Sequence, residues 1–295
     1  MLIQEQLKQQ KDYSDIEKMI ADYLYDLQLN IKKESVRHIA EKTYTSPSSV
    51  MRFCQKLGFV GFVDFKDAYL QEIEYLSSHF QDIDVNYPFL PNDKNIVIAS
   101  KLGTLYEETI QDTLSLIHHD SLQQAANMLA KAQTIYICAS STPRGIASTF
   151  KDNMLRIGKS VFLPHSLNDI YYEACYRDKN CCFLLISYTG ETSKTVKIAQ
   201  KLKERHLPSI ALTSYGNNTV SRLCDCHLYI STRQRLISNL GNFSTNLSIL
   251  YLLDVLYANC FHFHYSQNLN DKIKYSKELE SDRKSDNPIL KENSF

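Results

Sequence analysis

The chain lacks a net charge, a long apolar run and an apolar leader. Its 295 residues carry 33 Lys and Arg against 33 Asp and Glu, so any DNA-binding surface must be a local basic face. No apolar run approaches the roughly 20 residues of a membrane span, and the Gln-rich N-terminus predicts no signal peptide. Tryptophan is also absent, which decides nothing about function. Eight cysteines in such a chain predict reduced thiols in the cytoplasm. The lack of a long apolar run predicts that the chain has no membrane partner.

Residues 35–62 predict two helices joined by a tight polar turn, the layout of a helix-turn-helix that places its second helix in a DNA major groove. Ser46 can cap that second helix and Pro47 suits its first turn, while Gly58 ends it. The buried stripe of this helix is expected at Val50, Phe53 and Leu57.

The predicted DNA contacts lie at the start and on the outward face of this second helix. They are Ser46, Ser48, Ser49, Met51, Arg52, Gln55 and Lys56. The serines are expected to touch phosphates, whereas Arg52 could pair with a guanine edge or a phosphate, or remain a solvated cation. Residues 31–66 hold seven Lys and Arg against three Asp and Glu, so the positive charge is local to this region.

The rest of the N-terminal part is also predicted to be helical, giving an all-α domain over residues 1–77. Helical periodicity runs through residues 1–30, where Ser14 and Glu17 predict a capping box. An amphipathic helix is expected from about residue 64 to residue 76.

Beyond this domain the pattern changes to strands that alternate with helices. Pro88 and Pro91 interrupt the periodicity, so residues 78–106 are predicted to be a linker and a connecting helix. Residues 107–265 predict an α/β domain with a parallel five-stranded sheet flanked by helices. Residues 266–295 are a charged tail, expected to be a frayed helix or disordered. The strands are predicted at 134–139, 160–163, 181–187, 209–212 and 227–230.

Small hydroxyl side chains follow three of these strands. The segment 187–192, Ser-Tyr-Thr-Gly-Glu-Thr, lies between an apolar strand and a helix. Hydroxyls, a glycine and a helix N-terminus together bind phosphate without Lys or Arg, and ligands of parallel sheets lie beyond the C-terminal strand ends. Ser140-Ser141-Thr142 and Thr213-Ser214 follow two other strands, so the three clusters predict a phosphate site. The alternative is that they only cap helices.

Two other kinds of chemistry remain open. Glu191 could be the general base of an isomerase and His165 could line its pocket, but no second acid or base is marked by a motif, so we expect no enzyme activity. Cys224, Cys226 and His227 suggest a metal site, yet strand alternation would send the two cysteines to one face and the histidine to the other. We therefore predict neither a metal nor a cofactor.

Two stretches of the chain resemble bacterial transcriptional regulators of the RpiR/MurR type. In residues 14–76 the similarity is carried by IAEK, by the serine at the head of the second helix and by VMRFCQKLGFVGFVDFK. Residues 107–265 resemble the SIS (sugar isomerase) domain of those regulators. There it is carried by ISYTGETSKTVKIAQKLKERHLPSIALTS and the strand CDCHLYI. The resemblance implies a homodimeric or homotetrameric regulator that binds double-stranded operator DNA and senses a phosphosugar.

The resemblance also implies roles for particular residues. The phosphosugar ligands would be Ser140, Ser141, Ser187, Thr189, Gly190 and Thr192, and His165 is added because it follows the second strand. Two positions depart from the family pattern. The loop at Ser140 lacks the usual glycines, which predicts a narrower pocket. Tyr44 stands where a turn glycine is usual, and because φ > 0 disfavours a bulky residue we expect another turn conformation.

Overall fold

The computed structural model describes residues 2–77 and 83–280. Residues 2–77 form a helical domain, called the head below, and residues 95–280 form the sheet domain. The helices of the head are α1 (Ile3–Gln9), α2 (Asp15–Leu27), a 3-10 helix (Gln28–Lys33), α3 (Val36–Lys42), α4 (Pro47–Lys56) and α5 (Phe62–Ser77). The predicted all-α domain is confirmed.

Serine side chains cap the N-termini of three helices of the head, α2, α3 and α4. The capping box of Ser14 and Glu17 is present at the start of α2. The side chains of Ser35 and Ser46 accept backbone N–H groups at the starts of α3 and α4, which satisfies donors that have no partner within the helix. The region predicted as helical over residues 1–30 is broken after Gln9, where α1 ends, and again after Leu27, where α2 ends. The residues that follow, Gln10 and Gln28, both have positive φ.

The turn of the helix-turn-helix differs from the expectation. Tyr44 has φ +52°, so the expectation that it avoids the left-handed region was wrong. The Tyr44 N–H donates to the Glu41 carbonyl at 3.2 Å and the Thr45 N–H donates to the Ala40 carbonyl at 2.8 Å. This is the Schellman arrangement, which requires a left-handed residue at this position. The Tyr44 side chain is 92% exposed, so its bulk meets no neighbour.

The sheet domain has three layers, with helices on both faces of one parallel sheet. Its strands are β1 (Thr134–Cys138), β2 (Ser160–Phe162), β3 (Cys181–Ile186), β4 (Ser209–Ser214) and β5 (Cys226–Ile230). Its helices are α6 (Asn95–Ser115), α7 (His119–Lys131), α8 (Ser141–Leu155), α9 (Leu167–Tyr176), α10 (Ser193–Arg205), α11 (Thr219–Leu223), α12 (Phe243–His262) and α13 (Tyr265–Leu279). The strand order is β2-β1-β3-β4-β5 and every pairing is parallel, as predicted.

Each face of the sheet has its own apolar core. One core joins the sheet to α7, α8 and α12 through side chains such as Phe150 and Leu252, and the other joins it to α9, α10 and α11 through side chains such as Ile198. Burial on both faces explains why β3 is apolar throughout. Helix α9 was not predicted, and α13 is an ordinary helix to Leu279 without a buried residue. The rest of the predicted tail, 281–295, and linker residues 78–82 lie outside the described residues.

The cysteine pair near β5 is arranged differently from the prediction. The strand begins only at Cys226, so alternation does not reach Cys224, which caps the end of α11. Cys224 packs in the core on one face of the sheet and Cys226 packs in the core on the other, so placing them on one face was wrong. Within residues 2–77 and 83–280 no three His, Cys, Asp or Glu side chains are close enough to hold a metal ion. Among the same residues no helix is long and apolar enough to cross a membrane.

The left-handed turn makes Tyr44 a site where glycine should stabilise the head. We expect Tyr44→Gly to raise the free energy of unfolding by about 1 kcal/mol, because the side chain is exposed and only its Cβ opposes this φ. Urea unfolding of the full chain, followed by circular dichroism, measures the change. Tyr44→Ala is the matched control: it keeps the Cβ and should stay within about 0.5 kcal/mol of wild type. Equal stabilisation by both variants would contradict the backbone explanation.

Candidate functional site

Two hydroxyl-bearing loops leave the sheet side by side at its C-terminal edge. Cys138, the last residue of β1, pairs with Leu185 in β3, so the loops that contain Ser140 and Ser187 leave neighbouring strands at the same edge of the sheet. The chain leaves β1 toward β2 on one side and leaves β3 toward β4 on the other. Such a reversal of strand order opens a crevice at the C-terminal ends of the two strands, where ligands of open parallel sheets bind. The fold therefore places both predicted loops at its natural binding position.

The loop after β3, residues 187–192 and called the phosphate loop below, keeps its hydroxyls close together. The Ser187 and Thr192 hydroxyl oxygens are 3.3 Å apart. The Gly190 N–H donates to the Ser187 carbonyl at 3.0 Å and the Glu191 N–H donates to the Thr189 hydroxyl at 3.1 Å, which closes the loop on itself. Thr192 precedes α10 without capping it, so the first-turn N–H groups of α10 have no acceptor from this side chain. Such N–H groups and the helix dipole favour a bound anion.

Gly190 is required by the packing of this loop. It has φ +64°, and a Cβ built on it would lie 1.9 Å from the Asn218 Oδ1 atom. Asn218 is buried and donates to the Thr213 hydroxyl at 3.0 Å. Thr213 therefore lies inside β4 as part of the support behind the loop, not in an open loop as the sequence suggested. The Glu191 carboxylate accepts the Thr219 N–H at 2.7 Å, which joins the loop to α11.

The first loop presents its hydroxyls to solvent. Ser140 precedes α8 in an extended conformation and makes no capping hydrogen bond, and Ser141 has φ +52°; both residues are exposed. His165 is also exposed, beyond the end of β2. Arg144, which sequence reasoning did not select, donates from Nε to the Pro164 carbonyl at 2.8 Å. It thereby holds the segment that carries His165 against the first turn of α8.

Tyr188 is a second residue of this site that the sequence reasoning did not select. Its hydroxyl donates to the Gln234 carbonyl at 2.7 Å. Burial raises the pKa of Tyr188 to about 12, so the phenol remains a hydrogen-bond donor at neutral pH. The phosphate loop is therefore bonded to the segment that follows β5. The only sequence signal was that Tyr188 stands within the loop motif.

The second candidate site is the outward face of α4. The side chains of Ser48, Arg52 and Gln55 are exposed and form no hydrogen bond or ion pair with any described residue. The Ser46 hydroxyl accepts the Ser49 N–H at 3.1 Å, and the two hydroxyl oxygens are 2.9 Å apart. These side chains leave a polar surface at the start of α4, which suits contact with DNA phosphates.

Two of the predicted DNA contacts also have roles inside the head. Lys56 donates from Nζ to the Glu17 carboxylate at 2.8 Å and to the Asp12 carbonyl at 2.7 Å. The hydrogen bond from Lys56 lowers the pKa of Glu17. Met51 is half-buried and packs against the core of the head. Both side chains therefore attach α4 to the rest of the head. The side chains that remain available for DNA on the outward face of α4 are those of Ser48, Arg52 and Gln55.

Further exposed positive charge lies on and before α3. Four cations on and before α3 are exposed and form no ion pair within the described part of the chain: Lys32, Lys33, Arg37 and Lys42. Together with Arg52 they are exposed cations within the part of the sequence, residues 31–66, where Lys and Arg outnumber Asp and Glu. Exposed Lys and Arg of this kind suit contact with a phosphate backbone.

Comparison with known families matches both domains. Residues 1–75 match the helix-turn-helix domain of the rpiR family, and residues 128–259 match the SIS domain. A transcriptional regulator of the helix-turn-helix type from Bacillus subtilis, YbbH, is 26% identical over 242 residues, 82% of this chain and 83% of its own. A regulator of the same type from Haemophilus influenzae is 26% identical over 246 residues, 82% of this chain and 83% of its own.

Two solved structures share the fold. The Vibrio vulnificus NanR protein complexed with ManNAc-6P is 18% identical, with a TM-score of 0.60 over 96% of this chain and 100% of that one. The sugar isomerase domain of an RpiR transcription factor from Sphaerobacter thermophilus is 14% identical, with a TM-score of 0.53 over 62% of this chain and 98% of that one.

The contact between Gly190 and Asn218 predicts the effect of adding one methyl group. We expect Gly190→Ala to lower the free energy of unfolding by roughly 2–4 kcal/mol, because the new Cβ both overlaps Asn218 and opposes φ +64°. Gly145→Ala is the matched control, since a Cβ there meets nothing within 4 Å inside α8, and should be neutral or stabilising by about 0.5–1 kcal/mol. Thermal unfolding of both variants measures the difference. Wild-type stability of Gly190→Ala would mean that the loop does not pack on Asn218.

Proposed function

Since this chain belongs to the rpiR family of helix-turn-helix transcription regulators that carry a SIS domain, we propose that it regulates genes of sugar or amino-sugar metabolism in response to a phosphosugar. The phosphosugar binds at the phosphate loop and the operator binds at α4. The protein acts in the cytoplasm, where its DNA is. The observation that carries this proposal is the phosphate loop itself, at the reversal of strand order.

The chemistry of the phosphate loop suits the phosphate group of the effector. Ser187, Thr189 and Thr192 supply hydroxyls, Gly190 allows the backbone to approach closely, and the start of α10 supplies unpaired N–H groups. Ser140 and Ser141 supply hydroxyls from the neighbouring loop, and His165 lies beyond the next strand toward the sugar. The solved Vibrio vulnificus protein with the same fold was complexed with ManNAc-6P, which supports a ligand of this class.

The head reads DNA through α4. Arg52 and Gln55 have the length to reach base edges in a major groove, and the serines at the start of the helix contact phosphates. The exposed cations near α3 add sequence-independent attraction for the backbone. Helix-turn-helix proteins bind two half-sites through a two-fold axis, so we propose a homodimer or a homotetramer as the active form.

The rival function is sugar-phosphate isomerisation. That reaction needs a base beside the sugar carbon. The carboxylate of the phosphate loop, Glu191, is engaged by the Thr219 N–H at 2.7 Å, and the curated relatives named above are transcriptional regulators. Both observations favour regulation over catalysis. Incubation with the phosphosugars named below separates the two, since turnover of any of them would support the isomerase.

Arg52 gives a direct test of DNA binding. On an operator selected by the protein from random-sequence DNA, Arg52→Ala should weaken binding by ~1–3 kcal/mol, because an exposed guanidinium that contacts a base or phosphate is lost. Fluorescence anisotropy at moderate salt measures the affinity. Arg156→Ala removes the same charge from an exposed position at the end of α8 and should leave the affinity unchanged. Equal affinity of Arg52→Ala and wild type would remove Arg52 from the interface.

Thr189 gives the corresponding test of the ligand site. The probes are ManNAc-6P, glucosamine 6-phosphate, arabinose 5-phosphate and inorganic phosphate, each tested for a rise in the Tm of the full chain. Thr189→Val should abolish any such rise, because it removes a hydroxyl that binds phosphate and that also accepts the Glu191 N–H within the loop. Thr149→Val on the exposed side of α8 is the matched control and should keep the full rise. A rise retained by Thr189→Val would place the ligand elsewhere.

A further inference from the structure

The head meets the sheet domain at Tyr75, near the end of α5. The Tyr75 hydroxyl donates to the Asp112 carboxylate in α6 at 3.1 Å and accepts the Thr232 N–H, just after β5, at 2.8 Å. The Arg233 guanidinium lies over the Tyr75 ring, 4.6 Å from its centre, and the Tyr215 ring lies 4.9 Å away. Tyr75 is 6% exposed although it belongs to the head. The Tyr75 side chain therefore contacts three parts of the sheet domain: α6, the residues after β5 and the residue after β4.

A buried charge makes this contact between the head and the sheet domain costly in free energy to break. The Asp112 side chain is fully buried, and its carboxylate lies 3.6 Å from Arg233 Nε. Arg233 also donates to the Tyr75 carbonyl. Removing a partner from a buried charge leaves that charge desolvated and unpaired, which costs far more than the pair contributes when it is intact. Tyr75, Asp112 and Arg233 should therefore move together, between discrete arrangements and not by gradual loosening.

The same chain segment that holds Tyr75 also holds the phosphate loop. Residues 231–242, which connect β5 to α12, contain Gln234, and its carbonyl accepts the Tyr188 hydroxyl at 2.7 Å. Gln234 follows Arg233 directly, so one peptide unit separates the contact with the ligand loop from the contact with the head. The segment also holds the linker, because the Arg235 N–H donates to the Asn86 side chain at 2.7 Å. The Leu240 N–H donates to the Asn86 carbonyl at 2.9 Å.

A second connection runs in parallel through the end of β4. The Tyr188 carbonyl accepts the Ser214 N–H at 2.8 Å. The next residue, Tyr215, packs on Tyr75, and its N–H donates to the Thr232 hydroxyl at 2.7 Å. Both connections start at Tyr188 in the phosphate loop and end at Tyr75 in α5. A displacement of Tyr188 therefore reaches Tyr75 from two sides.

The packing of α5 in the head, and a cleft beside the head, would allow the head to move. Helices α4 and α5 share one apolar core, in which Phe53 packs with Phe65 and Tyr69, so a shift of α5 carries the DNA-reading helix with it. A cleft of about 370 Å³ lies between the two domains, lined by head residues such as Phe59 and by sheet-domain residues such as Asn217. A rotation of the head about Tyr75 would widen or close this cleft without disrupting the apolar core of the head or those of the sheet domain.

We propose that residues 231–242 are the coupling element of this regulator: occupancy of the phosphate loop moves Tyr188, and Tyr188 moves Tyr75 and the head through Gln234, Arg233 and Tyr215. The sign of regulation depends on which head arrangement the ligand favours, since a ligand shifts only an equilibrium between states it binds unequally. This inference rests on the proposed function for the identity of the two sites. The connection itself does not depend on which ligand the protein binds.

The first experiment therefore needs no ligand. In Tyr188→Phe, hydrogen exchange of the Thr232 amide and of the α5 amides at 70–75 should become roughly threefold to tenfold faster, because one hydrogen bond of the connection is lost. Tyr172→Phe removes an exposed hydroxyl from α9 and should leave these rates unchanged. Unchanged rates in Tyr188→Phe would overturn the coupling, whatever the protein binds.

The second experiment joins ligand and DNA. Operator affinity is measured with and without ManNAc-6P and inorganic phosphate for the wild type and for Tyr75→Phe, with the Tm rise as a separate readout of ligand binding. We expect Tyr75→Phe to keep the Tm rise but to lose most of the ligand-induced change in operator affinity. A full ligand-induced change in Tyr75→Phe would overturn the inference. If neither probe raises the Tm of the wild type, the proposed ligand is wrong, and the exchange rates of Tyr188→Phe still decide the coupling.

Discussion

Parallel pairing of β1 with β3 is the constraint on which the rest of this molecule depends. Because the chain leaves the two strands in opposite directions, a crevice opens between their C-terminal ends. The two hydroxyl-bearing loops fall at that crevice, and the sheet beneath them is buried on both faces. The loops that we propose as the ligand site therefore rest on a sheet that is buried on both faces, which holds their hydroxyls and helix N–H groups in position.

The same edge of the sheet also explains how the proposed ligand site is connected to the head. The segment after β5 returns along the C-terminal edge to reach α12, so it must pass the phosphate loop, the linker and the end of α5. Its contacts are polar and lie around the buried Asp112 and Arg233, whereas the head has one apolar core and the sheet domain has one on each face of the sheet. Directional, buried polar contacts have few alternative arrangements, which suits a joint between two rigid bodies.

Local signals in the sequence were sufficient for the parts of the structure that are local. The apolar strand, the hydroxyls with Gly190 and the helix that follows are consecutive in residues 181–205, and the serine caps at Ser14 and Ser46 need only their own helices. Long-range packing decided the rest. Lys56 forms a hydrogen bond with Glu17, 39 positions away. Tyr44 adopts a left-handed backbone conformation because the C-terminal turn of α3 requires one, and its exposed ring meets no neighbour that would oppose it. Neither result follows from spacing.

The sequence by itself determined the two-domain order, the parallel five-stranded sheet and the phosphate-type loop, because hydrophobic period, capping residues and turn residues act over one or two elements. The tertiary structure alone decided which residues connect these parts. Thr213 became a support behind the loop, and Tyr188 and Tyr75 became the two ends of a polar connection. Tyr75 and Arg233 are 158 positions apart, and a contact between such distant residues depends on how whole helices pack, which no local pattern records.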